Sequence, residues 1–321
     1  MDDVPARSTN ETGAPRGRLH PASHTDATVE THRKHSIRRL GQEEDGRVYA
    51  TGGDAFSPEG YSLFKHGDAR WARRFGYEVA DFLMDAESDL FDRSRPNEVL
   101  VAPFPYKHVP TAAALMVNHT VTRLNHLQSG EGKPSVGYLH VFKYPWWPSG
   151  EHYFAHMGEA ARRHILDNVD LSVDEDRLRG AHLIAVDDIR VTGATERKFL
   201  QLLYRVKGLR SLAVVYLCEV DPALAEADPA IESKLNQHKV KNLQDVAAIV
   251  ATGEFRWNIR VAKFVLEHQD VKDFGAFVGG LKDGPLLALY ESVVSNDYHF
   301  ERKYERRIQI IRSAVEARGL V

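Results

Sequence analysis

Short, largely apolar runs and longer runs of helical period take turns along the middle of the chain. The apolar runs are 98–102 (EVLVA), 183–186 (LIAV) and 212–220 (LAVVYLCEV), each bounded by polar residues. Runs of this length suit strands buried on both faces of a parallel sheet. A weaker strand pattern covers Val136 to Phe142. Trp71, Phe75, Val79 and Phe82 recur at helical spacing after Asp68, a capping residue. Ala112, Leu115, Met116, Val121 and Leu124 define a second helix, and 196–206 a third. Strands alternating with helices predict an α/β fold: a parallel sheet flanked by helices, with right-handed crossovers.

Both ends depart from that alternation. Residues 1–46 have scattered apolar positions and no period, so a disordered tail is expected there. Its histidines (His20, His24, His32 and His35) lack a metal site's paired spacing and are read as tail composition. From 222 to 321 the pattern is mostly helical, at about 223–235, 243–251, 255–268, 273–281, 285–294 and 301–317. The expected organisation is a tail (1–46), an α/β core (47–221) and an appended helical hood (222–321) over the C-terminal edge of the sheet.

The chemistry concentrates in residues 183–195, LIAVDDIRVTGAT. The apolar strand runs into Asp187 and Asp188, where open α/β sheets bind ligands. Thr192-Gly193-Ala194-Thr195 follows, and then a helix. Small residues let the backbone approach a ligand, and a helix N-terminus presents unpaired N–H groups to an anion. One stretch thus offers acceptors for hydroxyls or a metal and donors for a phosphate, a combination suited to a phosphorylated sugar.

This stretch resembles the ribose-diphosphate signature of type I phosphoribosyltransferases over all 13 residues, without a gap. The resemblance implies that Asp187 and Asp188 accept hydrogen bonds from the ribose hydroxyls of phosphoribosyl diphosphate (PRPP), and that Val191, Thr192, Gly193, Ala194 and Thr195 wrap its 5-phosphate. It implies a magnesium ion, held directly or indirectly by Asp187 and Asp188, and a small nitrogenous, base-like acceptor. The segments YSLFKHGD, DDIRVTGATE and RWNIRVAKFVL are also similar to a bacterial, ComF-like subgroup of phosphoribosyltransferase-like proteins associated with tellurium-resistance-type gene clusters. That wider likeness runs from about Phe56 onward. The function implied is transfer of a 5-phosphoribosyl group between PRPP and the acceptor, with pyrophosphate as co-product. A PRPP-binding regulator without turnover, and a hydrolase or phosphorylase acting on a ribosyl bond, are the alternatives.

In the resembled fold the loop after the first core strand binds pyrophosphate. Here it reads Pro103-Phe104-Pro105-Tyr106-Lys107-His108, rich in proline and aromatics rather than glycine. Pro105, Tyr106 and Lys107 are the candidate pyrophosphate loop, with Lys107 as its catalytic cation; a loop that only shapes the turn is the other reading. YSLFKHGD is read as a loop in which Tyr61 and Lys65 either pack or enter the acceptor pocket. Residues 128–150 are read as a mobile closing loop, with Lys133, Lys143, Arg162 and Arg163 as nearby cations. Tyr144, Trp146 and Trp147 stack on a base or pack beneath that loop. Asn258 and Arg260 are polar candidates from the hood, with Asn296, Tyr298 and His299.

Composition narrows the classes. Lys and Arg total 42 against 45 Asp and Glu, a net charge of −3. That balance does not favour nucleic-acid binding. A single cysteine, Cys218, excludes an internal disulfide and fits a reducing compartment, so a cytoplasmic location is expected. No apolar run reaches membrane-span length, and no membrane partner is expected. The sequence leaves oligomeric state open, a homodimer included.

Overall fold

A computed structural model describes residues 32–43, 45–52, 55–92, 98–145 and 169–321. A six-stranded sheet forms from β1 (His32–Gln42), β2 (Val48–Thr51), β3 (Val99–Pro103), β4 (Gly137–Tyr138), β7 (His182–Arg190) and β8 (Ser211–Val220), in the order β2-β1-β8-β7-β3-β4. All neighbours run parallel except β2, which pairs antiparallel with β1 at the edge. β5 (Phe142–Pro145) and β6 (Val169–Ser172) form a separate antiparallel pair. The expected strand at 136–142 is thus divided between two sheets.

Strand β1 corrects the expected boundary of the tail at residue 46. Residues 32–42 are an 11-residue strand in parallel register with β8, from His32 opposite Leu212 to Leu40 opposite Val220. Only Ile37 and Leu40 supply large buried apolar side chains. The polar side chains are matched by acids distant in sequence. Arg38, 2% exposed, pairs with Glu78; Arg33 lies 2.6 Å and His35 2.7 Å from buried Glu87; the Ser36 hydroxyl donates to Glu219 at 2.9 Å. Composition alone reads such a segment as solvated, because its partners are supplied by the fold. The rest of the expected tail, residues 1–31, lies outside the described residues.

The YSLFKHGD segment is also not the expected loop. It forms most of helix α1 (Pro58–Lys65), started by Pro58 and capped by Ser57, whose hydroxyl accepts from the Gly60 amide at 3.0 Å. Gly67 then turns the chain at φ +91, where an added Cβ would meet the Arg256 carbonyl at 2.5 Å. Asp68 caps α2 (Ala69–Ala86), as its position before the apolar period predicts. Phe75 and Val79 are buried, while Trp71 and Phe82 pack at the core's margin.

The two faces of the sheet carry different layers. Val101, Ile184, Val186, Ala213 and Val215 share a core with α1, α2 and α3 (Ala112–Gly130). Leu100, Ala102, Leu183, Ala185, Leu212 and Val214 pack with Phe199, Leu202 and Leu203 of α5 (Ala194–Leu203) on the other face. A four-residue helix, α4 (Glu175–Leu178), precedes β7. From β3 the chain passes through α3 to β4, outward on one side; from β7 it passes through α5 to β8, outward on the other. Right-handed crossovers in opposite directions put their helices on opposite faces. The crevice between the ends of β3 and β7 is therefore the topological switch point, where ligands bind.

Beyond β8, α6 (Pro222–Ala227) and α7 (Ile231–Asn236) replace the single helix expected at 223–235. Asp228-Pro229 interrupts it, since a residue before proline avoids helical backbone. Helices α8 (Leu243–Ala251), α9 (Ile259–Leu266), α10 (Val271–Gly280), α11 (Asp283–Ser295) and α12 (Glu305–Ala317) enclose a second core around Val246, Phe274, Leu286 and Ile311. This layer docks through backbone pairs. The Ala69 amide donates to Glu254 O (2.8 Å), Arg256 to Gly67 O (2.9 Å) and Ile259 to Pro110 O (2.9 Å). The molecule is an α/β sheet flanked by helices, with a helical C-terminal region set against the loops at the sheet's ligand-binding edge. Residues 146–168, which hold Trp146, Trp147, Arg162 and Arg163, lie outside the described residues.

Candidate functional site

Strand β7 continues through both acids to Arg190, and its alternation gives Asp187 and Asp188 different surroundings. Asp188 turns toward α1 and is 5% exposed. Its Oδ2 accepts from the Tyr61 hydroxyl at 2.7 Å and from Lys65 Nζ at 2.5 Å. Burial raises a carboxyl pKa, yet the Lys65 charge and these hydrogen bonds hold Asp188 below the usual range. Burial disfavours the Lys65 ammonium, and Asp188 and Glu232 outweigh it, so its pKa stands above the ordinary value. The two shifts describe one internal ion pair.

Asp187 instead lines a cavity of about 260 Å³. Burial, and then the negative charge of Asp188, push its carboxyl well above the ordinary range. The same cavity is walled by Val191, Thr192, Gly193, Ala194 and Thr195. Gly193 starts α5 at φ +69, left-handed backbone that favours glycine, and no side chain caps the helix. The first amides of α5 are therefore left to a ligand. Arg190 lies beneath this turn: a Cβ on Gly193 would come within 2.8 Å of its guanidinium. Glu196 (2.6 Å) and Glu219 (2.7 Å) fix that guanidinium. A carboxylate and the uncapped N-terminus of α5 thus face one space.

The far wall was not legible from motifs. Glu232 at the start of α7 faces the cavity, between Lys65 Nζ at 3.2 Å and Arg260 at 3.5 Å. Phe104, Tyr216 and Ser233 complete it. Arg190 and Glu196 fall within or beside the signature, and their acid–base alternation was the one available signal. Glu232 has none, because a fold contact across 167 residues brings it to Lys65.

Other candidates are drawn apart from this cavity. Tyr61 and Lys65 act behind it, through Asp188. Asn258 is fully buried; its Oδ1 caps α9 and its Nδ2 donates to Lys65 O at 3.3 Å, so it is a structural joint. Lys107 pairs with Asp297. Tyr106 bridges to β5, its amide donating to Val141 O at 3.4 Å and its carbonyl accepting from the Lys143 amide at 2.9 Å. Burial and the Lys263 charge lower the Lys143 pKa, and neither Lys143 nor Pro105 lines the cavity.

Among the described residues, no group of three or more His, Cys, Asp and Glu side chains could cage a metal. Asp187 alone of the paired acids is open to the cavity. That fits magnesium taken up mainly on substrate oxygens and water, with one or two carboxylates from the protein. No helix among the described residues is long and apolar enough to cross a membrane.

A hypoxanthine phosphoribosyltransferase from Staphylococcus aureus is similar at 13% identity and a TM-score of 0.29, over 48% of this chain and 65% of that one, just under two thirds of its length. The Trypanosoma cruzi enzyme, in complex with the product IMP, is similar at 15% identity and a TM-score of 0.31, over 48% and 68%. A Neisseria gonorrhoeae protein with bound ppGpp is similar at 13% identity and a TM-score of 0.26, over 47% and 68%. No curated protein matches the chain. The model of the ComF-like phosphoribosyltransferases (PRTase ComF-like) matches residues 51–311, which include the sheet from β3 onward, the signature and most of the helical region; the chain belongs to that family.

Proposed function

We propose that the protein binds PRPP at the end of β7 and transfers its 5-phosphoribosyl group to a nitrogenous, base-like acceptor, releasing pyrophosphate. The observation that carries this reading is the sharing of one cavity by Asp187 and the uncapped N-terminus of α5. The 5-phosphate sits on the amides and hydroxyls of 191–195, beside Arg190. Asp187 accepts from the ribose hydroxyls. Asp188 acts through position and charge: clamped by Lys65 and Tyr61, it holds the end of β7 and keeps negative potential under the ribose ring. That potential favours the positive charge developing at C1 as pyrophosphate leaves. Asp187 would be the protein carboxylate to hold a magnesium ion, which when bound would supply positive charge against the departing diphosphate. Glu232 and Arg260 present an acceptor and a donor to the incoming base. The helical region, 222–321, acts as the hood that shapes this acceptor side. Most of the rate comes from positioning and exclusion of water.

PRPP binding without turnover is the second reading. It is favoured by Lys107, whose ammonium is engaged with Asp297 rather than open to the phosphate cavity. A screen of nucleobases and heteroaromatic acids with PRPP and magnesium, read by pyrophosphate release, separates the two. Acceptor-dependent release supports transfer; saturable PRPP binding without release supports the regulator; no PRPP binding rejects both.

A further inference from the structure

The loop after β3 has the makings of an anion site, and residues from the helical region fill it. Lys107 supplies an ammonium, and the amides of His108 and Val109 point the same way, to one acceptor. That acceptor is Asn296 Oδ1, at 3.4 Å from the His108 amide and 3.2 Å from the Val109 amide. The ammonium is engaged by Asp297 Oδ2. An amide oxygen and a carboxylate oxygen, adjacent in sequence, thus occupy donors that would bind two oxygens of a phosphate group. Asn296 is the C-cap of α11 and is 9% exposed, so the turn is anchored. Asp297 stands at φ 60, the one non-glycine residue with positive φ among the described residues. That conformation is uncommon outside glycine, Asn and Asp, and it aims the carboxylate at the loop.

We infer that the Asn296–Asp297 turn is an internal occupant of the leaving-group subsite: it mimics a pyrophosphate oxygen pair and must be displaced before the loop binds diphosphate. The inference rests on the phosphoribosyl reading of this site and adds its regulation. The helical region then controls the reaction from the leaving-group side. Pyrophosphate and PRPP compete with Asp297 for Lys107, whereas ribose 5-phosphate, which uses the turn at 191–195 and Asp187 but not the loop, does not. Occupancy of the loop by diphosphate is coupled to release of the 296–301 segment.

Asp297→Asn tests this, because Asn tolerates the same backbone and keeps the shape while removing the charge. Titration calorimetry of the full chain with magnesium and either pyrophosphate or ribose 5-phosphate gives the two readouts. The variant should bind pyrophosphate roughly fivefold tighter, a modest gain because the Asp297 side chain is 47% exposed and solvent screens the pair. Ribose 5-phosphate affinity should be unchanged. Unchanged or weaker pyrophosphate binding in the variant overturns the inference, and weaker binding would mean that Asp297 positions Lys107 for the ligand. Failure of both proteins to bind ribose 5-phosphate counts instead against the phosphoribosyl reading. Hydrogen exchange on the unaltered chain provides a check that needs no variant. Saturating pyrophosphate should speed exchange at 297–301, where the Asp297, Phe300 and Glu301 amides are paired locally; pyrophosphate bound with no change there overturns the inference.

Discussion

Two backbone donor sites flank the switch point, and they are in opposite states. The turn at 191–195 opens on a cavity, and no side chain caps its helix. The loop at 107–109 has its donors taken by Asn296 and Asp297. The open site is built from one continuous stretch, with Asp187, Gly193 and the α5 N-terminus in local register. The closed site is assembled from segments about 190 residues apart. A local site needs only its strand and helix to form, whereas the closed one also reports whether the helical region is docked. One half of the proposed diphosphosugar site is thus fixed by the core fold, and the other half is set by an appended layer.

The largest expected effect breaks the support of the open site. Lys65→Met removes the cation from Asp188 and leaves a buried carboxylate uncompensated. Unfolding free energy in urea should fall by about 3–5 kcal/mol, whereas Lys65→Met with Asp188→Leu should recover most of it. If the single variant were as stable as its parent, Asp188 would not depend on this pair, and its proposed clamping role would be wrong.

A second effect lies at the joint between the two regions. His66 follows α1, is 1% exposed, bonds Ser62 O through Nδ1 at 2.8 Å, and packs on Phe264 of α9 at 4.9 Å between ring centroids. Burial lowers its pKa from 6.5 to about 4. Below pH 6.5 the unfolded chain takes up a proton that the folded chain refuses, so stability present above that pH is lost as pH falls toward 4. The loss at this residue should approach roughly 3 kcal/mol. His66→Gln should flatten the dependence of unfolding free energy on pH over that window. Equal slopes for parent and variant would show that His66 titrates normally in the folded chain.

The same contrast between local and remote assembly explains what was legible in the sequence. The signature strand, the glycine turn, the parallel core and the helical C-terminal region are readable because each rests on adjacent residues or on one period. Strand β1 is not, since Arg33, His35, Ser36 and Arg38 meet their partners Glu87, Glu219 and Glu78 only in the fold. Helix α1 reads as a loop because Tyr, Lys and His crowd its C-terminal end; the Ser57-Pro58 start is the better signal. Lys107 reads as a cation for the leaving group, and nothing local predicts that Asp297 holds it. Glu232 was missed for the same reason.

A smaller effect sharpens the difference between the two donor sites. Gly193→Ala puts a Cβ into left-handed backbone, at about 1–2 kcal/mol, and against the Arg190 guanidinium. Ribose 5-phosphate should bind roughly tenfold more weakly as the turn and Arg190 shift, while pyrophosphate affinity at the loop stays within error. Equal losses for both ligands in calorimetry would mean that the two sites are one.

The smallest expected effect isolates a single donor of the open site. Thr195 is exposed on the first turn of α5 and lines the cavity. Thr195→Val keeps the shape and the β-branch but removes that hydroxyl. A hydrogen bond to a charged phosphate is worth about 1.5–3 kcal/mol when enclosed, and water replaces part of it at an exposed position, so about 1 kcal/mol is expected. That is roughly a fivefold loss of affinity. The loss should appear equally for PRPP and ribose 5-phosphate, which share the 5-phosphate, and should be absent for pyrophosphate. Asp187→Asn should divide the ligands differently, weakening PRPP and ribose 5-phosphate while sparing inorganic phosphate, because the acid serves the ribose hydroxyls and not the phosphate turn. If Thr195→Val instead weakened pyrophosphate as much as ribose 5-phosphate, the turn would be holding the diphosphate. Asn296 and Asp297 would then be ordinary docking contacts, and the polarity proposed for the bound sugar would have to be reversed.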